Sequence, residues 1–162
     1  MRYLLLALLA LSHSLAAQPW RVVGDEQFAP YSFVPADDDT PHGLDVELID
    51  AVLREAQVPY EIRLYPWERV KRMLDRGEVQ MAFQFAGTPQ RQEQYELVGP
   101  LRSGSTVFMT TGKTAIKDWK TLDDLSPYVI GQVRGYAYEE SFDRADLARD
   151  SSAQNPRQLV SM

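Results

Sequence analysis

The stretch Gly77 to Pro100, GEVQMAFQFAGTPQRQEQYELVGP, runs from a short apolar segment through Gly87-Thr88-Pro89 to Arg91 at the start of a short polar helix. An arginine in that place can hold a carboxylate. Its planar guanidinium offers two parallel donors, and the free N–H groups and positive dipole end of a helix start favour the same anion. A carboxylate leaving water needs such a pre-oriented charged partner to offset its desolvation. Thr88 stands where it either caps the helix or binds a ligand itself.

The elements that must position Arg91 are legible on both sides of it. Trp20 to Gly24, WRVVG, is an apolar run closed by glycine and predicts a first strand. Gly43 then opens LDVELIDAVLREA, in which Leu44, Val46, Leu48, Ile49, Val52 and Leu53 recur at helical spacing. Tyr60 to Leu64 alternates as a second strand, Pro66 starts a helix over Trp67 to Arg76, and Met81 to Phe85 makes a third strand. The order strand, helix, strand, helix, strand implies an α/β fold with a mostly parallel sheet and helices on its faces. Ligands bind such sheets beyond the carboxyl ends of the strands, which here means the loops Asp25 to Phe33 and Ala86 to Arg91.

Further along, the β-rich run Ser105 to Thr111, STVFMTT, reads as a crossing strand that leaves this unit, followed by Lys117-Asp118-Trp119. A short helix over Thr121 to Leu125, a strand over Val129 to Gln132, and a helix from Glu139 to about Arg144 behind the loop Gly135-Tyr136-Ala137-Tyr138 restart the pattern. Gln158 to Met162 reads as the opening of another helix.

The N-terminus carries a different signal. Met1-Arg2 precedes the apolar run YLLLALLAL, of a length suited to a secretory leader and too short to span a bilayer, and the small residues around Ala16 and Ala17 suit cleavage there. Residues 1–17 are expected to be a signal peptide that directs the protein to a bacterial periplasm. The chain of 162 residues has no cysteine, which excludes a disulfide, a thiol nucleophile and a lipid-bearing cysteine. Its net charge of −6 argues against nucleic acid or an anionic membrane surface as partner. Only two histidines are present, and His13 lies in the expected leader, so a histidine metal cluster has no ligands to draw on and no metal or cofactor is expected. Gly112-Lys113-Thr114 imitates the end of a phosphate-binding loop, but Val107 stands where that motif needs its first glycine. Asp37-Asp38-Asp39 lacks the spaced carboxylates of a calcium loop and reads as a solvated turn.

Taken in order, Gly24-Asp25 through Phe28-Ala29-Pro30-Tyr31-Ser32-Phe33, Gly43-Leu44-Asp45-Val46, Gly77-Glu78-Val79-Gln80, Thr88-Pro89-Gln90-Arg91 and Gly135-Tyr136 resemble the extracytoplasmic solute-binding proteins of family 3, the polar amino-acid receptors of ABC importers. The resemblance implies a periplasmic binding protein type 2-like fold, in which two α/β lobes close on a ligand. Lobe one is then expected over 18–104, a crossing strand and linker over 105–120, and an incomplete lobe two over 121–162. It assigns the ligand carboxylate to Arg91, helped by Thr88. Asp25 corresponds to a family acid that faces a ligand amine or polar side chain and Phe28 to an aromatic that stacks on the ligand; Trp67, at the start of the second helix, is expected as an additional wall, and Tyr31 as a further ligand contact. Core packing competes for Phe28, Tyr31 and Phe33, and Phe33 is the one expected in the core. Phe85, Ala86, Gly135 and Tyr136 complete the expected ligand-binding set. Ala86 stands where the family commonly has a hydroxyl, which removes one hydrogen bond to an α-amino acid.

The implied function is that of a monomeric periplasmic receptor without catalytic residues, binding a small carboxylated solute such as a polar amino acid for an ABC-transporter permease in the inner membrane. Two other readings use the same scaffold: a ligand-sensing domain of a signalling or cell-wall protein, and a periplasmic dehydratase-like enzyme acting on a ring carboxylate. The family's chains are longer, so the resemblance also implies that these residues are a fragment or a shortened form.

Overall fold

A computed structural model describes residues 18–114, 116 and 118–162; the expected leader over residues 1–17 and Lys117 of the linker lie outside them. At its centre is a three-stranded sheet in the order β4-β1-β5, built from β1 (Trp20–Asp25), β4 (Tyr60–Tyr65) and β5 (Met81–Ala82), with β1 parallel to both neighbours. The apolar pair in β1 explains the layers. Successive strand residues project to opposite faces, so Val22 and Val23 enter two different cores. Val22, fully buried, packs with Ile49 and Leu53 of α1 (Leu44–Glu55) and with Leu64 and Phe83. Val23 packs on the other side with Trp67, Val70 and Met73 of α2 (Trp67–Asp75) and with Val79. A central strand buried on both faces reads as continuous apolar sequence rather than as alternation, as β1 does.

Both helices follow their periodicity with small differences. In α1 the inward face is Val46, Ile49 and Leu53, while Leu44 and Val52 of the expected apolar stripe face solvent. In α2, Trp67, Val70 and Met73 recur every third residue toward the sheet, and Pro66 at the N-cap supplies a pre-set φ without a donor to satisfy. The glycine at 24 is required by packing: a Cβ there would stand 2.3 Å from the Phe83 ring.

The third strand is shorter than expected. Only Met81 and Ala82 pair as strand, although the Phe83 N–H still reaches the Val23 carbonyl at 3.1 Å. Gln84 then turns the chain away with a left-handed φ of +74°. Its side-chain amide is fixed from three directions: Oε1 accepts from the Asp25 N–H, and Nε2 donates to Ser32 Oγ at 2.7 Å and to Asp45 Oδ2 at 3.0 Å. These bonds hold a backbone conformation that a glutamine seldom adopts.

Between α1 and β1 lies a small antiparallel pair, β2 (Gln27–Phe28) with β3 (Ser32–Phe33). After the sheet come α3 (Pro89–Gln94), a 3₁₀ turn over Leu122–Leu125, the parallel pair β6 (Ile130–Gly131) and β7 (Arg149–Asp150), α4 (Glu140–Arg144) and α5 (Pro156–Ser161). Thr121 and Asp124 form a capping box on the 3₁₀ turn, and the Asn155 side chain accepts the Gln158 N–H at the start of α5. The run Ser105 to Thr111, expected as a crossing strand, has no strand partner among the described residues, and Val107 and Met109 are 73% and 78% exposed. High β-propensity does not make a strand without a neighbouring edge to pair with. Within the later segment, Leu125, Val133, Phe142 and Ala153 are buried, a smaller set of core residues than either face of the first sheet gathers. Among the described residues no helix is long and apolar enough to cross a membrane.

Candidate ligand-binding cleft

Beyond the end of β5, the loop into α3 faces the Gly135 loop across a cleft of about 550 Å³. Thr88 caps α3, its Oγ1 accepting the Arg91 N–H at 3.3 Å, and Pro89 begins the helix. This fixes Arg91 at the cleft wall. Its guanidinium donates through Nη1 to the Ala86 carbonyl at 3.2 Å and lies over the Phe85 ring at 4.8 Å and the Trp67 ring at 5.8 Å. Burial pushes the guanidinium pKa below its ordinary value. Among the described residues no carboxylate lies within ion-pair distance of Arg91, although Asp143 across the cleft exerts a favourable charge effect on it.

The opposite wall is tied to the sheet by directed bonds. The Trp67 indole N–H donates to the Gly135 carbonyl at 2.8 Å, and the Tyr136 hydroxyl donates to Asp25 Oδ2 at 2.6 Å. Gly135 adopts φ +75°, a conformation in which a side chain is strained, and a Cβ there would also displace the ends of the Glu68 and Lys71 side chains, so glycine suits the close approach of the loop to α2. Asn155 adds a third tie, its Nδ2 donating to Gln27 Oε1 at 2.5 Å.

The aromatic side chains form one connected group. Phe28 meets Tyr31 at 5.2 Å and Tyr136 edge-on at 5.9 Å, while Trp67 meets Phe85 at 4.8 Å and Tyr136 edge-on at 6.0 Å. Asp25 lies beneath them, 4% exposed, with its other oxygen accepting the Gln27 N–H at 2.9 Å. Burial raises the Asp25 pKa, against the opposing pull of the Tyr136 and Gln27 bonds. The Tyr136 phenol is pushed well above its usual range, first by burial and then by its bond to Asp25.

Of the residues singled out in the sequence, Phe85, Thr88, Arg91, Gly135 and Tyr136 border the cleft directly. Ala86 contributes its carbonyl to Arg91, and Asp25, Phe28 and Trp67 stand behind Tyr136 rather than open to the cleft. Tyr31 lies under the Arg102 guanidinium, 4.0 Å from its ring centre, and Phe33 is partly buried beside His42. The outer cleft adds residues that were not anticipated. Lys71 pairs with Glu68 at 2.7 Å, Asp75 accepts from the Tyr95 hydroxyl and from Gln94, and Asp143 accepts the Tyr138 N–H. Burial, reinforced by Asp75, pushes the Tyr95 phenol up to about 12. Lys71 and Asp75 share one face of α2 four residues apart, a spacing visible in the sequence but indistinguishable there from a solvated helix face. Among the described residues no group of three or more histidine, aspartate or glutamate side chains could hold a metal ion.

Residues 20–157 match the family model of bacterial extracellular solute-binding proteins, family 3. A sequence comparison with characterised proteins found no match. Among solved structures, the fold is similar to a Salmonella typhimurium periplasmic binding protein described for its high arginine specificity, at 20% identity and a TM-score of 0.66 over 90% of this chain and 64% of that one. It is also similar to the arginine-, lysine-, histidine-binding protein ArtJ of Geobacillus stearothermophilus, at 20% identity and 0.64 over 89% and 62%. A third is the ancestral amino acid-binding protein AncCDT-1, described as a precursor of cyclohexadienyl dehydratase, at 19% identity and 0.62 over 88% and 64%. This chain thus spans less than two thirds of the length of these structures, and it carries the type 2 periplasmic binding fold with its second lobe represented in part. The ordered motifs, the parallel sheet and the family match together place the chain in family 3 of the bacterial extracellular solute-binding proteins.

Proposed function

We propose that this protein binds a small carboxylated solute, an amino acid foremost, with the carboxylate on Arg91. It does so as a periplasmic receptor without catalysis of its own, handing the solute to an ABC-transporter permease in the inner membrane. The observation that carries the reading is Arg91 itself: a half-buried guanidinium on the cleft wall, steadied by Phe85 and the Ala86 carbonyl, with no carboxylate in ion-pair reach among the described residues. Such a group has given up part of its hydration and is stabilised by an incoming anion. Family membership and the ligand classes named for the similar structures support an amino acid over other carboxylates. We take 18–104 as lobe one, 105–120 as the connecting segment and 121–162 as the part of lobe two present here, so that ligand bridges the Arg91 wall and the Gly135 loop and favours the closed form.

The test is thermal unfolding of the purified protein against a panel of amino acids and simple carboxylates. A binder at about 100 times its dissociation constant adds roughly 2.7 kcal/mol to stability. Arg91→Ala should remove that shift while leaving the unliganded melting temperature close to that of the wild type. A ligand shift retained by Arg91→Ala would move the carboxylate site elsewhere.

A further inference from the structure

The buried Asp25 carboxylate beside the cleft is already partnered within the protein. Phe28 and Trp67 each meet the Tyr136 ring in a T-shaped contact, at 5.9 Å and 6.0 Å, and the Tyr136 hydroxyl reaches the buried Asp25 carboxylate at 2.6 Å. Without the phenol, this chamber would have a carboxylate at its base and two aromatic walls. That combination suits an organic cation, because the ring quadrupoles and the carboxylate charge both attract it in a site short of water. The phenol satisfies the carboxylate with a neutral donor instead. Tyr136 also borders the cleft that holds Arg91, so a ligand with its carboxylate on Arg91 would have the Tyr136 ring within the same space.

We propose that Tyr136 is a built-in plug that sets ligand size: with its ring packed against Phe28 and Trp67 and its hydroxyl on Asp25, the cleft takes compact carboxylates at Arg91 and refuses ligands that extend a long cationic tail. The carboxylate half of this statement rests on the function proposed above; the chamber half does not. The Trp67 bond to the Gly135 carbonyl holds the plug in register, so displacing the ring requires the loop to move as well.

Calorimetric titration separates the two halves. The probes are agmatine, which has a guanidinium and no carboxylate, together with alanine and arginine. Wild-type protein should favour alanine over arginine and take up agmatine only weakly. Tyr136→Ala should gain agmatine affinity by at least about tenfold, and adding Asp25→Asn to it should cancel the gain. Adding Arg91→Ala should leave the gain in place, whatever becomes of alanine binding, so that a failure of the Arg91 reading is seen apart from a failure of the plug. If Tyr136→Ala loses its cooperative melt, Tyr136→Leu, which keeps an apolar side chain and lacks the hydroxyl and ring, is titrated in its place. Equal agmatine affinity in wild type and variant, no agmatine binding by either, or a wild-type preference for arginine over alanine would each overturn the proposal.

Discussion

Arg102 and Asp45 form a forked ion pair, Nε to Oδ1 at 2.7 Å and Nη2 to Oδ2 at 3.1 Å, that ties the segment leaving the sheet back to the first turn of α1. The Asp45 carboxylate is almost fully buried, and its remaining bond comes from Gln84, which in turn holds Ser32 and the Asp25 backbone. The pair therefore sits at the junction of four chain segments that are far apart in sequence.

Arg102→Ala would leave that carboxylate buried with only the Gln84 amide as partner. Because the arginine side is partly exposed and screened, the expected loss is about 2 kcal/mol, below the range for a fully buried pair. Urea unfolding measures it, and Arg102→Lys should recover only part, since an ammonium cannot make the same fork. A loss under a few tenths of a kcal/mol would show that the pair contributes nothing net.

Gly135→Ala tests the approach of the loop to α2. The positive φ alone costs an alanine about 1–2 kcal/mol, and the added Cβ would meet Glu68 Oε1. The melting temperature should fall, and any ligand shift measured in the wild type should shrink with it. Unchanged stability would mean that the loop does not rest on α2 in solution.

The buried Asp25 predicts a slope of stability with pH. Its folded pKa is raised above the ordinary 3.8, so between 3.8 and the folded value the native state holds more proton than the unfolded chain. Stability must then fall as pH rises through that interval. In Asp25→Asn this component is absent, so the wild type should lose stability relative to the variant from pH 3.8 upward. A wild-type curve parallel to that of the variant would contradict the raised value.

Asp38 provides the opposite case at the surface. Hydrogen bonds from His42 and Thr40 hold its carboxyl down at about 2. A carbon-detected NMR titration should find it there, and His42→Ala should move it back toward 3.8. Any stabilisation from this cluster is present above pH 3.8 and lost as pH falls toward 2. An unmoved titration in the variant would assign the depression to Thr40 alone.

The first sheet was readable because its signals are local. Val22 and Val23, the spacing of Val46, Ile49 and Leu53, and Pro66 before Trp67 each declare their element within a turn or a strand pair. Thr88 and Arg91 were readable for the same reason, since the cap and the arginine whose N–H it accepts lie three residues apart. Gln84 was not, because a left-handed glutamine is held by Ser32, Asp45 and Asp25, none of them near in sequence. Ser105 to Thr111 misled because its β-rich composition says nothing about whether an edge is available. The packing of Tyr136 against both Phe28 and Trp67 was hidden likewise, since sequence shows which aromatics exist and tertiary contacts decide which of them meet.

Trp67 is both a core residue, 5% exposed, and the donor to the Gly135 carbonyl. The other two tryptophans, Trp20 and Trp119, are 41% and 45% exposed. The protein therefore carries its own optical gauge: when the loop lifts from α2, the Trp67 indole exchanges a carbonyl for water and its fluorescence shifts to longer wavelength, against a background from two already hydrated indoles. Loop movement can then be followed in real time without a label, on the same sample used for titration.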